Sequence, residues 1–211
     1  MLTILKKIFS GVASGVLVSI GGIVYLMTEN RIAGAVLFSV ALLCICYKGF
    51  SLFTGKVGYL AHSRTAVDIG VLITGLLGNF LGAVGTAALA CLALPSLRET
   101  AITLANAKID QAFYETLLRA FFCGILMYMA VSIYREKSSP LGILFGIPVF
   151  ILSGFEHSIA DMFYLSAGAT FTAEYIGKAL LFIVLAVAGN AVGAIFIALF
   201  DKTRETGDVK K

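Results

Sequence analysis

The sequence predicts an all-α membrane protein of six transmembrane helices, arranged as an inverted 3+3 repeat with the second and fifth helices broken. Three observations predict it. Of the 211 residues 59% are hydrophobic and only 13% are charged, whereas a soluble domain needs roughly a quarter of its residues charged to cover its surface. Six apolar runs are long enough for a bilayer core, which takes about twenty helical residues per crossing. A short Gly-Asn motif, finally, occurs once in each half of the chain.

The runs cover approximately residues 8–28, 32–53, 66–94, 112–134, 140–167 and 174–200. The first is too long for the apolar core of a signal peptide and has no A-x-A cleavage site before it, so it reads as a membrane helix. The second reaches Phe53, meets Thr54-Gly55-Lys56, and is followed by a short apolar patch from Val57 to Ala61. The fifth carries Pro148, is interrupted around Gly154 to His157, and resumes to Ala167. Gly78-Asn79-Phe80-Leu81-Gly82-Ala83 in the third run recurs as Gly189-Asn190-Ala191-Val192-Gly193-Ala194 in the sixth. Each copy follows an interrupted helix, so runs one to three repeat as four to six. Three crossings per repeat is an odd number, which inverts one half against the other and places a site near the midplane where the interrupted helices meet. The small-x-x-x-small spacing in both motifs lets helices approach closely. The whole chain, 1–211, reads as a single transmembrane domain. The first repeat spans about 1–95, the second about 108–202, and 203–211 form a cytoplasmic tail.

Orientation follows from Lys and Arg in the short connections. Lys6, Lys7, Lys56, Arg64, Arg135, Lys137, Lys202, Arg204, Lys210 and Lys211 fall on one side, and Arg31, Arg98, Lys108 and Lys178 on the other. The excess puts both termini in the cytoplasm, as an even number of crossings requires, in the cell inner (plasma) membrane.

His157 and Glu156 stand side by side in the fifth run, and His157 is one of two histidines in the chain. An ionisable side chain at membrane depth is costly and faces the protein interior or a wet path. Two roles fit His157: a proton-handling group in a pore, since imidazole titrates nearest neutrality, or a neutral ring tying two helices together. Thr54 lies at the interruption in the first half, either as a hydrogen-bond partner of His157 or of a passing ligand, or as plain turn chemistry. Asn79 and Asn190 are amides that must find partners in lipid, by lining a wet path or by pinning the broken helices. Lys108 precedes the fourth run, where a cation either concentrates anions at a pore mouth or is an ordinary loop lysine. Cys44, Cys46, Cys91 and Cys123 lie in apolar runs and read as free buried thiols, with no metal set. Nothing calls for a cofactor, and no cluster of Lys/Arg interleaved with aromatics points to nucleic acid.

Together these residues resemble the formate/nitrite transporter family over nearly the whole chain. The likeness rests on Leu52-Phe53-Thr54-Gly55, Gly78-Asn79-Phe80-Leu81-Gly82-Ala83 and Gly189-Asn190-Ala191-Val192-Gly193. It rests above all on Ser153-Gly154-Phe155-Glu156-His157-Ser158-Ile159-Ala160-Asp161-Met162. The resemblance implies an aquaporin-like protomer in a lipid-embedded homopentamer, one pore per subunit, passing small monovalent anions of weak acids of the formate, nitrite and hydrosulfide type. It puts the central histidine on His157, the loop threonine on Thr54, the neighbouring glutamate on Glu156 and a vestibule lysine on Lys108. Two hydrophobic constrictions fall on Phe38, Leu42, Leu52 and Phe150. Gly124 stands where the family often has a pore-lining asparagine, and Ser51 where it often has an acidic residue.

A bare anion cannot cheaply enter an apolar constriction, whereas a neutral acid can. The expected mechanism is attraction of the anion at Lys108, then passage past His157 as the neutral acid or with a proton shared through the imidazole. An enzyme would need a nucleophile or metal set that the sequence lacks. A channel for small neutral solutes on the same scaffold is the alternative, encouraged by the missing amide at Gly124.

Overall fold

Backbone N–H and C=O groups have no water to bond in lipid, so apolar runs there must satisfy them internally as helices. The computed structural model describes residues 2–62 and 66–201, and every regular element among them is helical. In order come α1 (Leu2–Met27), α2 (Arg31–Lys48), a 3-10 turn (Val57–Ala61), α3 (Ala66–Ala93), α4 (Pro95–Ile109), α5 (Phe113–Lys137), α6 (Leu141–Leu152), α7 (Ser158–Ala167) and α8 (Ala173–Ala198). Helices α1, α2, α3, α5 and α8 are each long and apolar enough to cross a bilayer, and α6 is a shorter apolar helix. Leu92, Phe145 and Val184 are exposed by 82%, 70% and 63%; large apolar side chains so bare belong in lipid or against another protein surface. The molecule is a multi-pass membrane protein. Arg64, Lys202, Arg204, Lys210, Lys211 and the tail 203–211 lie outside the described residues.

Two features differ from the sequence expectation. The second apolar run does not stay helical to Phe53; α2 stops at Lys48 because Gly49 adopts φ +66°. The Gly49 N–H bonds the Cys46 carbonyl and the Phe50 N–H the Ile45 carbonyl, a left-handed cap that glycine reaches without strain. The polar stretch before the fourth apolar run is no loop either. It forms α4, with Pro95 in the first turn, where its missing N–H costs nothing, and with Leu97, Ala101, Ala105 and Lys108 buried.

Small residues bring α1 onto α3 and α5 onto α8. A Cβ on Gly78 would lie 2.8 Å from Gly11 Cα, and one on Gly189 2.6 Å from the Leu117 carbonyl oxygen. Both Gly-Asn motifs therefore sit at close helix crossings, the use that small-x-x-x-small spacing allows. Between these pairs, Phe38, Leu42, Leu52, Met127, Tyr128, Ile147, Phe150 and Phe163 fill one buried apolar core.

Candidate permeation site

The chain between α6 and α7 leaves the helix by the same device as the chain after α2. Gly154 has φ +69°, its N–H bonds the Ile151 carbonyl, and the Phe155 N–H bonds the Phe150 carbonyl. Gly49 and Gly154 differ by 105 in number, and the same offset relates the residues that follow. Asn79 donates from Nδ2 to the Ser51 carbonyl (2.8 Å) and to the Gly11 carbonyl (2.9 Å), while its Oδ1 accepts from the Phe53 N–H (2.9 Å). Asn190 donates from Nδ2 to the carbonyls of Glu156 and Ala120 (both 2.8 Å), and its Oδ1 accepts from the Ser158 N–H (2.9 Å). Each amide thus satisfies backbone groups of a non-helical segment and adds one bond to a carbonyl inside α1 or α5. Asn79 and Asn190 are both fully buried and make three bonds each, a geometry that pins the segments they bond.

The two pinned segments meet at Thr54 and His157, whose Oγ1 and Nε2 lie 2.9 Å apart. His157 also caps α7, its Nδ1 accepting from the Ala160 N–H at 3.2 Å. A neutral imidazole carries one proton. With Nδ1 occupied as an acceptor, that proton sits on Nε2 and is donated to the Thr54 oxygen. The Thr54 hydroxyl proton is then left to donate elsewhere. Under the 105-residue offset the counterpart of His157 is Leu52, and Thr54 is instead a neighbour reaching across.

Phe38, Leu42, Leu52 and Phe150, the residues given to constrictions, are all buried within this core, at 2–3% exposure. The Phe150 ring stacks on the His157 ring, centroids 5.5 Å apart at 23°, and Phe38 meets Phe150 edge-on at 6.2 Å. Two cavities open on either side of this plug. One, of about 560 Å³, is bounded by Leu42 and Leu52 and carries Cys46, Lys56, Tyr134 and Arg135. The other, of about 880 Å³, is bounded by Phe150 and His157 and carries Tyr25, Arg31, Lys108, Gln111, Arg119, Glu156, Asp161 and Tyr164. They lie at opposite ends of α2 and α5, the first at the C-terminal ends, the second towards the N-terminal ends.

Lys108 is not a loop lysine at an open mouth. It is 8% exposed, at the end of α4, and its Nζ pairs with Glu156 and, at 2.8 Å, with Asp161. Gln111 Nε2 donates to the other Glu156 oxygen at 2.8 Å. Among the described residues Asp161 Oδ2 has no partner. Burying one cation among two carboxylates offsets its desolvation only by this close pairing. Asp161 was missed as a site residue, although an acid inside an apolar helix four residues after His157 is the signal that would have found it. Gly124 is not a vacated pore position: a Cβ there would run into the Asn190 backbone, so the glycine serves the crossing of α5 with α8. The four cysteines are free, and no cluster of three or more His, Cys, Asp or Glu able to hold a metal occurs among the described residues.

Apolar membrane-length helices around a buried centre, with a cavity on each side of it, fit a membrane transport protein. Residues 1–201 match the Formate/nitrite transporter family, and the chain belongs to it; its members are channels and transporters, not enzymes. The uncharacterized transporter YrhG of Bacillus subtilis is 30% identical over 191 residues, covering 81% of this chain and 70% of that protein. The formate channel FocA of Haemophilus influenzae is 26% identical over 184 residues, covering 75% of this chain and 65% of its own length. The fold matches a pentameric formate channel with formate bound at a TM-score of 0.78 and 18% identity, over 94% of this chain and 96% of that one.

Proposed function

We propose that this protein passes small monovalent anions of weak acids, of the formate, nitrite and hydrosulfide type, across the cell inner membrane as their neutral acids. The observation that carries this is the 2.9 Å bond between Thr54 Oγ1 and His157 Nε2, set in an apolar plug with a cavity on each side. In this reading α2 with the 3-10 turn, and α6 with α7, each make one interrupted crossing, giving six crossings in an inverted 3+3 repeat. The matched glycine caps and asparagine clamps support that arrangement. The family names and the fold likeness support the substrate class and a lipid-embedded homopentamer with one pore per subunit. The Lys and Arg excess supports cytoplasmic termini.

The plug decides the form of the cargo. Phe38, Leu42, Leu52 and Phe150 offer an anion no hydration, and transfer of a bare carboxylate into such surroundings is prohibitive. The neutral acid loses only hydrogen bonds, and the Thr54 hydroxyl, fixed by the Nε2–H of His157, returns one. His157 is a poor carrier of a second proton in this geometry. A proton at Nδ1 would break the α7 cap and place a cation at a helix N-terminus, where the dipole opposes it. The proton therefore travels with the anion, in either direction down the combined gradient. Liposome flux of formate, nitrite, hydrosulfide and a small neutral solute, at two pH values, tests the reading. Anion uptake that rises as pH falls supports it; flux of the neutral solute alone would replace it with a neutral-solute channel.

A further inference from the structure

The two cavities differ in how their cations are balanced. On the Lys108 side, three cations (Arg31, Lys108, Arg119) share the lining with Glu156 and Asp161. Lys108, the most deeply placed of them, is consumed by both acids. The Leu52 side has Lys56 and Arg135 in its lining and no carboxylate. The 105-residue offset shows how this arose. Ser51 stands where the second half has Glu156, and Lys56 where it has Asp161, each pair five residues apart. Where one half buries two acids, the other presents a serine and a lysine.

From this we infer that Lys56 and Arg135 form a second site, on the mouth opposite Lys108, that binds the small carboxylate or similar monovalent anion before it loses its charge. The inference rests on the transport reading above. Lys56 is half-buried rather than in a free loop, and its Nζ donates to Ser51 Oγ at 3.1 Å. Ser51 is itself fixed, with its carbonyl held by Asn79 and its N–H by Ser10 Oγ. The Arg135 guanidinium lies over the Tyr59 ring, 4.6 Å from its centroid, a contact that steadies it without neutralising it. Lys7 and Arg135 both act on Lys56 as like charges, and among the described residues no carboxylate lies within ion-pair distance of Lys56 or Arg135. Glu136, next to Arg135 in sequence, does not line the cavity. Cations set for topology alone stand in water. These two line a pocket whose inner wall is Leu42 and Leu52, so the anion they hold waits at the plug. Ser51 is a positioning residue that aims Lys56.

Cys46 lines the same cavity and reports its potential without any need for transport. In the full chain with Cys44, Cys91 and Cys123 replaced by alanine, Cys46 is modified with an anionic and with a cationic methanethiosulfonate reagent of similar size. The anionic reagent is expected to react about tenfold faster, in line with electrostatic focusing in a charged cleft, and formate is expected to slow it. Lys56→Gln should bring the two rates within about twofold and abolish protection by formate, whereas Lys56→Arg should retain both effects. Arg135→Gln provides the same comparison if Lys56→Gln fails to assemble. Equal rates for the two reagents with Lys56 and Arg135 present, or formate protection that survives both substitutions, would overturn the site. Formate flux in liposomes without charge selectivity at Cys46 sinks the site and leaves the transport reading. Selectivity and protection without any flux do the reverse.

Discussion

Thr54→Val removes one oxygen from the plug and keeps the shape. Thr54 is 1% and His157 2% exposed, so no water replaces the lost partner of Nε2–H, which lies 2.9 Å from the threonine oxygen. Leaving a buried donor bare costs about 1–3 kcal/mol, which should lower the unfolding temperature of the purified oligomer. The flux falls for a second reason: the neutral acid loses the hydroxyl that would bond it at the narrowest point. A further loss of about 1–3 kcal/mol in the barrier corresponds to roughly 5- to 150-fold in rate, at about 1.4 kcal/mol per decade. Stopped-flow formate uptake into liposomes reads this directly, with Thr54→Ser as the control, expected within a few-fold of the parent because it keeps the oxygen. Thr54→Val flux within twofold of the parent, in a protein assembled at the same density, would refute the role given to the hydroxyl.

Asn190→Leu orphans the Glu156 carbonyl and the Ser158 N–H and removes a third bond, to the Ala120 carbonyl inside α5. At the roughly 0.6–1.7 kcal/mol measured for membrane hydrogen bonds, the loss is about 2–5 kcal/mol, and its thermal midpoint should fall further than that of Thr54→Val; Asn79→Leu should behave alike. Lys108→Met leaves two buried carboxylates without their cation, at about 3–5 kcal/mol, and should fail to assemble, with recovery on adding Asp161→Asn, as judged by gel filtration. His157→Asn keeps an N-cap side chain of the preferred kind, so the oligomer should form. Its residual formate flux should still rise as pH falls, because the protonated cargo, not the imidazole, sets that direction. A flat pH profile in this variant would show that the ring carries the proton.

Five membrane-length helices were legible because apolar run length follows from bilayer thickness, and the Gly78 and Gly189 motifs were legible because close crossings demand small residues at fixed spacing. The end of α2 was not: Gly49 looks like any glycine near a polar break, and only its left-handed φ and the two bonds around it mark the cap. Helix α4 is not legible either, because its polarity hides a narrow buried face of Leu97, Ala101 and Ala105. At the candidate site, single residues with chemistry rare in apolar runs stood out, so His157, Glu156, Thr54 and both asparagines could be singled out. The Thr54–His157 pairing could be anticipated, but the other pairings between distant segments did not stand out. That Lys108 would be clasped by Glu156 and Asp161, rather than left facing a mouth, depends on α4 packing against α7, and Asp161 went unread beside the histidine. Gly124 was read as a missing amide, whereas its reason lies in the Asn190 backbone against it.

The form in which the cargo crosses the plug is tested by formate flux into liposomes at clamped membrane potential, with and without a proton gradient. Neutral-acid passage predicts one proton moved with each formate, no net current, and a rate set by the pH difference and indifferent to voltage. A formate current that follows the potential with no proton gradient present would contradict it.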